Sequence, residues 1–271
     1  MTPTSKTLAG RIAIVTGATA GIGRSVAQQV VAAGGRVVVN GRREALLADL
    51  AASLNADRPG GDASPAAIAV AGDCASQGTI DAMLGAAERD LGAPADLVVI
   101  NAGRGLAGSV LTSDTGAWEE LLRTNVLGAS LLLRAAGGAM SERGSGDIES
   151  GRWPASPRDI VILGSTVGRH ISPFSSMYGA TKFAVNSLAE AARREIGPKG
   201  VRVTLIEPGV VESEFQGVAG YDERTFGEFM ANIAPVLTPD DVAASIVAAC
   251  AQPAGVHWSD IVIRPTRQEY P

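Results

Sequence analysis

Short apolar runs that alternate with helix-like stretches constrain the fold of this chain more than any other feature of its sequence. Most of these runs are apolar on both faces, as strands are when helices cover both sides of a parallel sheet. The pattern predicts an α/β fold, with a doubly wound parallel sheet of about seven strands, helices on both faces and ligands at the carboxyl ends of the strands. The predicted strands are Arg11–Val15, Arg36–Asn40, Ala66–Ala71, Asp96–Ile100, Asp159–Leu163, Val201–Ile206 and Asp260–Ile263.

Length and composition limit the remaining possibilities. A chain of 271 residues is long enough for one sizeable core, and we expect a single domain over residues 1–271. A net charge of −5 provides no basic surface for nucleic acid, and no apolar run approaches the roughly 18 residues that cross a membrane. Two distant histidines and two isolated cysteines have no metal-ligand spacing. We therefore expect a cytoplasmic protein that binds neither nucleic acid nor membrane and holds no metal.

Three longer segments lie between the predicted strands. Residues Thr115–Met140 are predicted to form one long helix. The stretch Glu142–Arg158 is rich in Gly, Ser, Pro and charge, which predicts a mobile surface insertion before the next strand. Residues Glu214–Pro235 contain several aromatic side chains and are predicted to form a lid over a ligand site. Those aromatic residues either line the site or pack the lid onto the core.

A glycine-rich turn follows the first predicted strand. Residues Thr16–Gly23 (TGATAGIG) join that strand to the next helix. Gly17 permits a tight turn, Gly21 lets the backbone approach a pyrophosphate, and Gly23 lets the helix pack closely on the strand. The helix N-terminus then offers free N–H groups and the positive end of its dipole to an anion. The turn predicts a Rossmann-type dinucleotide site, although close packing alone also accounts for its glycines.

The end of the second predicted strand indicates which dinucleotide binds. An NAD site usually has a carboxylate about 20 residues after the glycine turn, where it binds the ribose 2′-hydroxyl. The sequence here reads Asn40-Gly41-Arg42-Arg43. A guanidinium binds a 2′-phosphate through charge-assisted hydrogen bonds, and a cation is otherwise poorly placed at the start of a helix. We therefore predict NADP(H) as the cofactor in preference to NAD(H).

A tyrosine and a lysine stand four residues apart in Tyr178-Gly179-Ala180-Thr181-Lys182. This spacing puts the phenol and the ammonium on one face of a helix. The lysine cation, together with oxidised nicotinamide, is expected to lower the pKa of the phenol from its usual value of about 10, which favours proton exchange near neutral pH. The hydroxyl of Ser165, which follows the fifth predicted strand, is suited to hold a substrate oxygen against the phenol. Alone, the pair is weak evidence, because Tyr and Lys often share a helix face by chance.

Taken in order along the chain, these motifs resemble those of the short-chain dehydrogenase/reductase family in its compact, single-domain form. The resemblance covers nearly the whole length of the sequence. It rests on the glycine turn, an NAG motif after the fourth strand, a helix asparagine, the catalytic Ser and YxxxK, and a Pro-Gly turn after the sixth strand. The matching residues are Thr16–Gly23, Asn101-Ala102-Gly103, Asn125, Ser165, Tyr178, Lys182 and Pro208-Gly209.

The resemblance implies an oxidoreductase that transfers a hydride between NADP(H) and an alcohol or carbonyl substrate. Tyr178 would be the general acid or base, and Ser165 would orient the substrate oxygen. Lys182 would bind the nicotinamide ribose and lower the pKa of Tyr178, while Asn125 would hold a water that links Lys182 to solvent. Asp73 would bind the adenine amino group. The implied cofactor-binding residues are Gly17, Thr19, Gly21, Ile22, Gly23, Gly41, Arg42, Arg43, Asp73, Cys74, Asn101, Ala102, Gly103, Tyr178, Lys182, Pro208, Gly209, Val211 and Ser213.

The resemblance also suggests a substrate range and an assembly. Glu195–Pro208 and Asp260–Thr266 are similar to a subgroup of NADP-dependent 3-hydroxy-acid and small-alcohol dehydrogenases, which suggests a small hydroxy acid or alcohol as substrate. Arg169 would attract an acidic substrate or form a surface salt bridge. Family members are commonly homotetramers or homodimers, and we expect the same here.

The chain departs from the family pattern without losing a reacting group. Gly164 precedes Ser165 where the family often has a second serine, and Ser213 stands where a threonine usually contacts the carboxamide. An alternative function is a non-catalytic NADP(H)-sensing regulator, which needs the glycine turn but neither the phenol nor the ammonium. The intact Tyr178 and Lys182 favour the enzyme.

Overall fold

Strands and helices alternate along the polypeptide. The computed structural model describes residues 7–56 and 64–270. The strands are β1 (Ile12–Val15), β2 (Arg36–Gly41), β3 (Ala67–Ala71), β4 (Leu97–Ile100), β5 (Arg158–Leu163), β6 (Val201–Pro208) and β7 (Asp260–Ile263). The helices are α1 (Gly21–Ala32), α2 (Glu44–Ala56), α3 (Gln77–Asp90), α4 (Trp118–Leu122), α5 (Ala129–Glu149), α6 (Ser176–Ile196), α7 (Phe215–Ala219), α8 (Glu223–Ile233) and α9 (Pro239–Cys250).

The seven strands of the described residues form one parallel sheet in the order β3-β2-β1-β4-β5-β6-β7. This arrangement confirms the predicted α/β doubly wound sheet. Strand order reverses beside β1, because the chain runs outward from β1 to β3 and then returns to place β4 on the other side of β1. A crevice opens at the carboxyl ends of the strands at such a reversal.

The sheet separates two apolar layers, and alternate residues of β1 contribute to each of them. Ala13 and Val15 pack with residues of α1, α2 and α9. Ile12 and Ile14 pack with residues of α3, α5 and α6 on the other face. Helices therefore cover both faces, which explains why the central strands are apolar throughout.

The predicted helix Thr115–Met140 is interrupted. It begins with a 3-10 turn and α4, continues through a π-helical segment at Arg123–Gly128, and only then becomes α5. The π-helical segment contains Asn125, whose side chain is buried and hydrogen-bonded to neighbouring elements. The apolar periodicity of the sequence did not reveal this local widening of the helix, a feature that is frequent at functional sites.

The prediction of a mobile insertion at Glu142–Arg158 is wrong for most of that segment. Its first half continues α5 as a regular helix, and Arg158 is the buried first residue of β5. Gly144 allows close packing, because a Cβ at that position would clash with the main-chain oxygen of Lys199. Asp147 forms an ion pair with Arg158. The glycine and the charges that suggested a loop are therefore packing and ion-pair residues.

A buried ion network joins the amino ends of the central strands, opposite the crevice. The Asp159 carboxylate accepts hydrogen bonds from Arg202 at 2.7 and 2.9 Å and from Arg11 at 2.8 Å. Arg11 also binds the Asp96 carboxylate at 2.8 Å. These residues precede or begin β1, β4, β5 and β6, so the network connects four neighbouring strands at one edge.

Within residues 7–56 and 64–270, no helix is both long and apolar enough to cross a bilayer. No group of three or more His, Cys, Asp and Glu side chains in the same ranges is arranged to hold a metal ion. The cytoplasmic location expected from the sequence stays a prediction.

We predict that Asp159→Asn lowers the free energy of unfolding by about 3 kcal/mol or more, because it leaves two buried guanidinium groups without their shared counter-charge. Urea denaturation followed by circular dichroism measures the change. Glu190→Gln is the control, since Glu190 pairs with Arg193 and Arg194 on the exposed face of α6 and should change stability little. Equal effects of the two substitutions would contradict the role of the network.

Candidate active site

A cavity of about 900 Å³ opens at the carboxyl ends of the strands. It brings together almost all of the residues predicted to bind cofactor or substrate, although they are widely separated in the sequence. Gly23 and Asn125 are the two predicted residues that lie outside its lining. The predicted residues that line it are Gly17, Thr19, Gly21, Ile22, Gly41, Arg42, Arg43, Asp73, Cys74, Asn101, Ala102, Gly103, Ser165, Tyr178, Lys182, Pro208, Gly209, Val211 and Ser213.

The glycine turn has the backbone geometry that its sequence requires. Gly17 and Gly21 have φ values of 67° and 53°, in the left-handed region that favours glycine. The Asn101 side chain holds the turn by donating to the main-chain oxygen of Thr16 at 2.8 Å. Gly23 lies beneath the turn, where a Cβ would clash with the main-chain oxygen of Gly17. Gly23 therefore packs α1 against the turn, as its predicted packing role requires, and is removed from the cavity surface.

The N-terminus of α1 opens on the cavity. Among the described residues, no side chain caps this end at Ala20, and the first turn carries no acidic residue. A Cβ at Gly21 would meet only the Ser213 Cβ, at 3.7 Å, so there is room in front of the helix. Free N–H groups and the positive end of the helix dipole at this position fit the pyrophosphate of a dinucleotide.

Two arginines follow β2 at the adjacent end of the cavity. Arg42 Nη1 donates to Glu120 Oε1 at 2.7 Å, and Arg43 Nη2 donates to Thr19 Oγ1 in the glycine turn at 2.9 Å. Arg104 binds the second carboxylate oxygen of Glu120. The cluster of cations fits a phosphate group. The Glu120 carboxylate would compete with that phosphate for the guanidinium groups. Sequence reasoning missed Glu120, because this residue pairs with the two lining arginines from α4 and belongs to no motif.

Asp73 and Cys74 follow β3 on the same side of the cavity. Asp73 accepts the main-chain N–H of Ala75 at 2.9 Å and two hydrogen bonds from Arg123 at 2.8 and 3.0 Å. The Ala75 hydrogen bond is the main reason that the pKa of Asp73 is lowered. Burial raises the pKa of the Cys74 thiol to about 11, so this group is neutral at neutral pH.

The predicted catalytic residues meet where β5 ends and α6 begins. Tyr178 is 8% exposed, and its pKa is influenced by a hydrogen bond with the Ser165 hydroxyl. Lys182 Nζ donates to the main-chain oxygen of Leu163 at 2.6 Å and lies 5.7 Å from the centroid of the Tyr178 ring. Since Leu163 is the last residue of β5, this bond fixes α6 beside the segment that carries Ser165.

Burial determines the proton affinities of this pair. It raises the pKa of Tyr178 above its usual value, and the hydrogen bond with Ser165 only partly offsets the effect. It also lowers the pKa of Lys182 to about 8. In the protein without cofactor, the pKa of Tyr178 is therefore raised, because desolvation favours the neutral form of each group. The lowering expected from Lys182 together with oxidised nicotinamide stays a prediction.

Asn125 lies behind the pair in the π-helical segment. Its Nδ2 donates to the main-chain oxygen of Arg104 at 2.9 Å and to Thr181 Oγ1 at 3.0 Å, and its Oδ1 accepts the Arg104 N–H at 2.9 Å. Both amide hydrogens are thus used within the protein, and the side chain fixes the loop after β4. A Cβ at Gly103 in that loop would lie 3.8 Å from Lys182 Nζ. The predicted water on Asn125 stays a prediction.

Aromatic side chains of the predicted lid line the cavity. Phe215 packs on the ring of Tyr178 with a centroid distance of 5.5 Å. Tyr221, Phe226 and Phe229, on and just before α8, also contribute to the lining. Phe215 also packs against the buried cluster of Leu106, Leu121 and Tyr178. Both alternatives left open by the sequence therefore apply, since these residues line the cavity and one of them also packs onto the core.

The carboxyl-terminal tail also reaches the cavity, which the sequence did not predict. Gln268 Oε1 accepts the Val210 N–H at 2.9 Å, and the Tyr270 hydroxyl donates to the main-chain oxygen of Ile171. Both Gln268 and Tyr270 line the cavity. Their position depends on the path of the chain after β7, for which the sequence carries no local signal.

Arg169 forms a salt bridge, the second of its two predicted alternatives. Its guanidinium binds Glu207 and Asp260. The buried Glu207 also accepts a hydrogen bond from Asn186 Nδ2 at 2.6 Å. A Cβ at Gly164 would lie 2.9 Å from Asn186 Oδ1. This close approach explains the glycine at a position where the family often has serine.

Comparison with known proteins shows which family this chain resembles. The family model for short chain dehydrogenases matches residues 11–223. Dehydrogenase/reductase SDR family member 11 of Mus musculus is 32% identical over 265 residues, which cover 95% of this chain and 95% of that protein. The closed form of serine dehydrogenase complexed with NADP+ is 28% identical, with a TM-score of 0.79 and 96% of each chain covered.

A second similar structure contains the other nicotinamide dinucleotide. The 3-ketoacyl-(acyl-carrier-protein) reductase from Brucella melitensis complexed with NADH is 25% identical, with a TM-score of 0.81 and coverage of 96% of this chain and 99% of that chain. Similar structures thus contain either dinucleotide, and the choice between them depends on the residues of each site. The family match and the mouse relative both extend over most of the sequence, and this chain therefore belongs to the short-chain dehydrogenase/reductase family of oxidoreductases.

Proposed function

We propose that the protein transfers a hydride between NADP(H) and an alcohol or carbonyl substrate, with Tyr178 as the general acid or base. The observation that carries the proposal is the position of Tyr178. Its phenol lies beside the Ser165 hydroxyl on the wall of a cavity that also contains the open N-terminus of α1. A proton donor, an orienting hydroxyl and an anion site in one cavity are what such a reaction requires.

The residues of the cavity fit NADP(H). The N–H groups of the glycine turn and α1 would bind the pyrophosphate, and Arg42 and Arg43 would bind the 2′-phosphate. Asp73 would bind the adenine amino group. The residues after β6 would border the nicotinamide end: Pro208, Gly209, Val211 and Ser213. The bound dinucleotide supplies or accepts the hydride.

Tyr178 and Ser165 act on the substrate oxygen. During reduction, Tyr178 gives its proton to the carbonyl oxygen as that oxygen gains negative charge, and Ser165 donates a hydrogen bond that orients the oxygen. During oxidation, the phenolate of Tyr178 accepts the hydroxyl proton. Because burial raises the pKa of Tyr178, the phenol holds its proton at neutral pH and is ready to act as the acid.

Lys182 lies next to the Tyr178 ring and would assist Tyr178 both as the acid in reduction and as the base in oxidation. Its ammonium group is held by the Leu163 oxygen and would bind the nicotinamide ribose in the complex. In that complex, the charged amine, 5.7 Å from the centroid of the Tyr178 ring, would offset part of the effect of burial and favour the phenolate that oxidation requires. The homotetramer or homodimer expected from the family stays a prediction.

We predict that Tyr178→Phe lowers turnover of carbonyl substrates by about 100-fold or more, because the proton donor is lost while the ring is kept. NADPH oxidation against a panel of aldehydes and ketones measures the effect, and NADPH fluorescence measures cofactor binding, which should change little. A regulator that only senses NADP(H) would give a different result. It would bind NADPH, turn over no carbonyl compound and be insensitive to this substitution.

We predict that Arg42→Ala weakens NADPH binding by about 10-fold or more and NADH binding much less, because only NADPH carries a 2′-phosphate. Fluorescence titration with both dinucleotides measures the two dissociation constants. Arg89→Ala, which removes an exposed arginine at the end of α3, is the matched control and should change neither. Equal weakening of both dinucleotides would count against a 2′-phosphate contact.

We predict that alcohol oxidation speeds up as the pH rises between about 6 and 9, by up to tenfold per unit, whereas carbonyl reduction does not. The raised pKa of Tyr178 leaves mostly phenol in this range. The acid form needed for reduction is therefore abundant, and the base form needed for oxidation increases with pH. Measurement of kcat/KM in both directions, with one alcohol and its ketone, tests the difference. An oxidation rate independent of pH would show that Tyr178 is not the titrating base.

A further inference from the structure

The aromatic residues of this protein are concentrated around one cavity. The sequence contains three tyrosines and five phenylalanines. All three tyrosines and four of the five phenylalanines line the cavity at the carboxyl ends of the strands. Apart from Tyr178 and Phe215, the rings belong to the loop before α6, to α8 with the residue preceding its N-cap, and to the tail. These residues are Phe174, Tyr221, Phe226, Phe229 and Tyr270.

The rings of the α8 segment contact one another and form a continuous apolar wall. The ring centroids of Tyr221 and Phe226 lie 4.9 Å apart, and those of Phe226 and Phe229 lie 5.9 Å apart. Two other lining residues are open to solvent, since Phe174 is 72% exposed and Val218 is 64% exposed. Large apolar groups left open to solvent in the lining of a cavity are typical of a site that buries an apolar ligand.

The cations of the cavity are engaged elsewhere. Among the described lining residues they are Arg42, Arg43, Arg104 and Lys182. Arg42 and Arg104 share the carboxylate of Glu120 next to β2, at the end of the cavity assigned to the 2′-phosphate. Both guanidinium groups are therefore already paired with a carboxylate.

The other two cations are also held by partners. Arg43 binds Thr19 in the glycine turn, and Lys182 donates to the Leu163 oxygen beneath Tyr178. A carboxylate on the substrate would therefore enter the aromatic part of the cavity without a cationic partner among the described lining residues. An unpaired carboxylate is strongly disfavoured in apolar surroundings, whereas a ring or an alkyl chain is favoured there.

We infer that the substrate is a ketone or alcohol whose carbon skeleton carries a bulky apolar group, such as an aryl ring, and no carboxylate near the reacting carbon. This inference rests on the proposed function, because it names the substrate class of the same site. It departs from the small hydroxy acid suggested by the sequence. The aromatic wall binds the apolar group while Ser165 and Tyr178 contact the oxygen.

A matched pair of ketones tests the inference. The compounds 4-phenylbutan-2-one and levulinate share the group CH3–CO–CH2–CH2– and differ only in its terminal phenyl or carboxylate. With NADPH and the wild-type protein, we expect kcat/KM for the phenyl ketone to exceed that for levulinate by about 100-fold or more. Equal values, or a preference for levulinate, would overturn the inference and leave the proposed function intact, because either result requires turnover.

A substitution in the aromatic wall gives a second measurement. Phe226→Ala should lower kcat/KM for the phenyl ketone by about 10-fold, leaving the value for levulinate and the dissociation constant of NADPH nearly unchanged. Glu228→Ala, at an exposed position of the same helix, is the control and should preserve the wild-type preference. An equal loss for both ketones in Phe226→Ala would contradict a specific contact with the phenyl group.

Failure of the inference and failure of the proposed function give different results. Turnover of neither ketone, with NADPH still bound and other carbonyl compounds of the panel reduced in a Tyr178-dependent way, would overturn the substrate class alone. Turnover of no carbonyl compound at all would overturn both.

Discussion

The hydrogen bond from the buried Lys182 ammonium to the main-chain oxygen of Leu163 holds together the two elements that carry Tyr178 and Ser165. It joins α6 to the end of β5, so that Tyr178 on the helix and Ser165 after the strand lie side by side. A buried amine with one carbonyl partner is poorly solvated, which lowers its pKa to about 8. The same desolvation keeps the phenol protonated. The packing that places the Tyr178 phenol beside the Ser165 hydroxyl therefore also keeps the phenol proton in place.

The ion pairs at the amino edge of the sheet differ in burial from those at its carboxyl edge. At the amino edge, Asp159 and Arg202 are almost fully buried and bind each other through two hydrogen bonds. At the carboxyl edge, the half-exposed Glu120 is shared by Arg42 and Arg104. A buried network stabilises only while it is complete, whereas an exposed carboxylate can be exchanged for a ligand anion with little loss of free energy. Stability and ligand binding are therefore separated along the same strands.

Local motifs predicted the fold and the meeting of Ser165 with Tyr178, because parallel strands bring their carboxyl ends to one edge whatever the loops between them contain. The sequence-based predictions failed where tertiary packing gives a residue a different environment from the one that its local sequence suggests. Gly144 allows a close helix contact where its sequence context suggested a mobile loop. Burial likewise raises the pKa of Tyr178 in the protein without cofactor, an effect that the local sequence did not indicate. Tyr270 could not be predicted as a lining residue, nor Glu120 as the partner of two lining arginines, since only the tertiary structure brings the tail and α4 to these positions.

The substrate is harder still to predict from the sequence, because the loops and short helices that complete the cavity carry no motif. The similarity to hydroxy-acid dehydrogenases lay in Glu195–Pro208 and Asp260–Thr266, which the structure assigns largely to the end of α6, β6 and β7. Those segments build the sheet, so packing constrains their sequences whatever the enzyme binds. The cavity is completed instead by α7, α8 and the tail, and Phe226 and Phe229 of α8 form part of its apolar wall. Resemblance in the framework therefore identifies the reaction class, while the residues that face the substrate determine which molecule reacts.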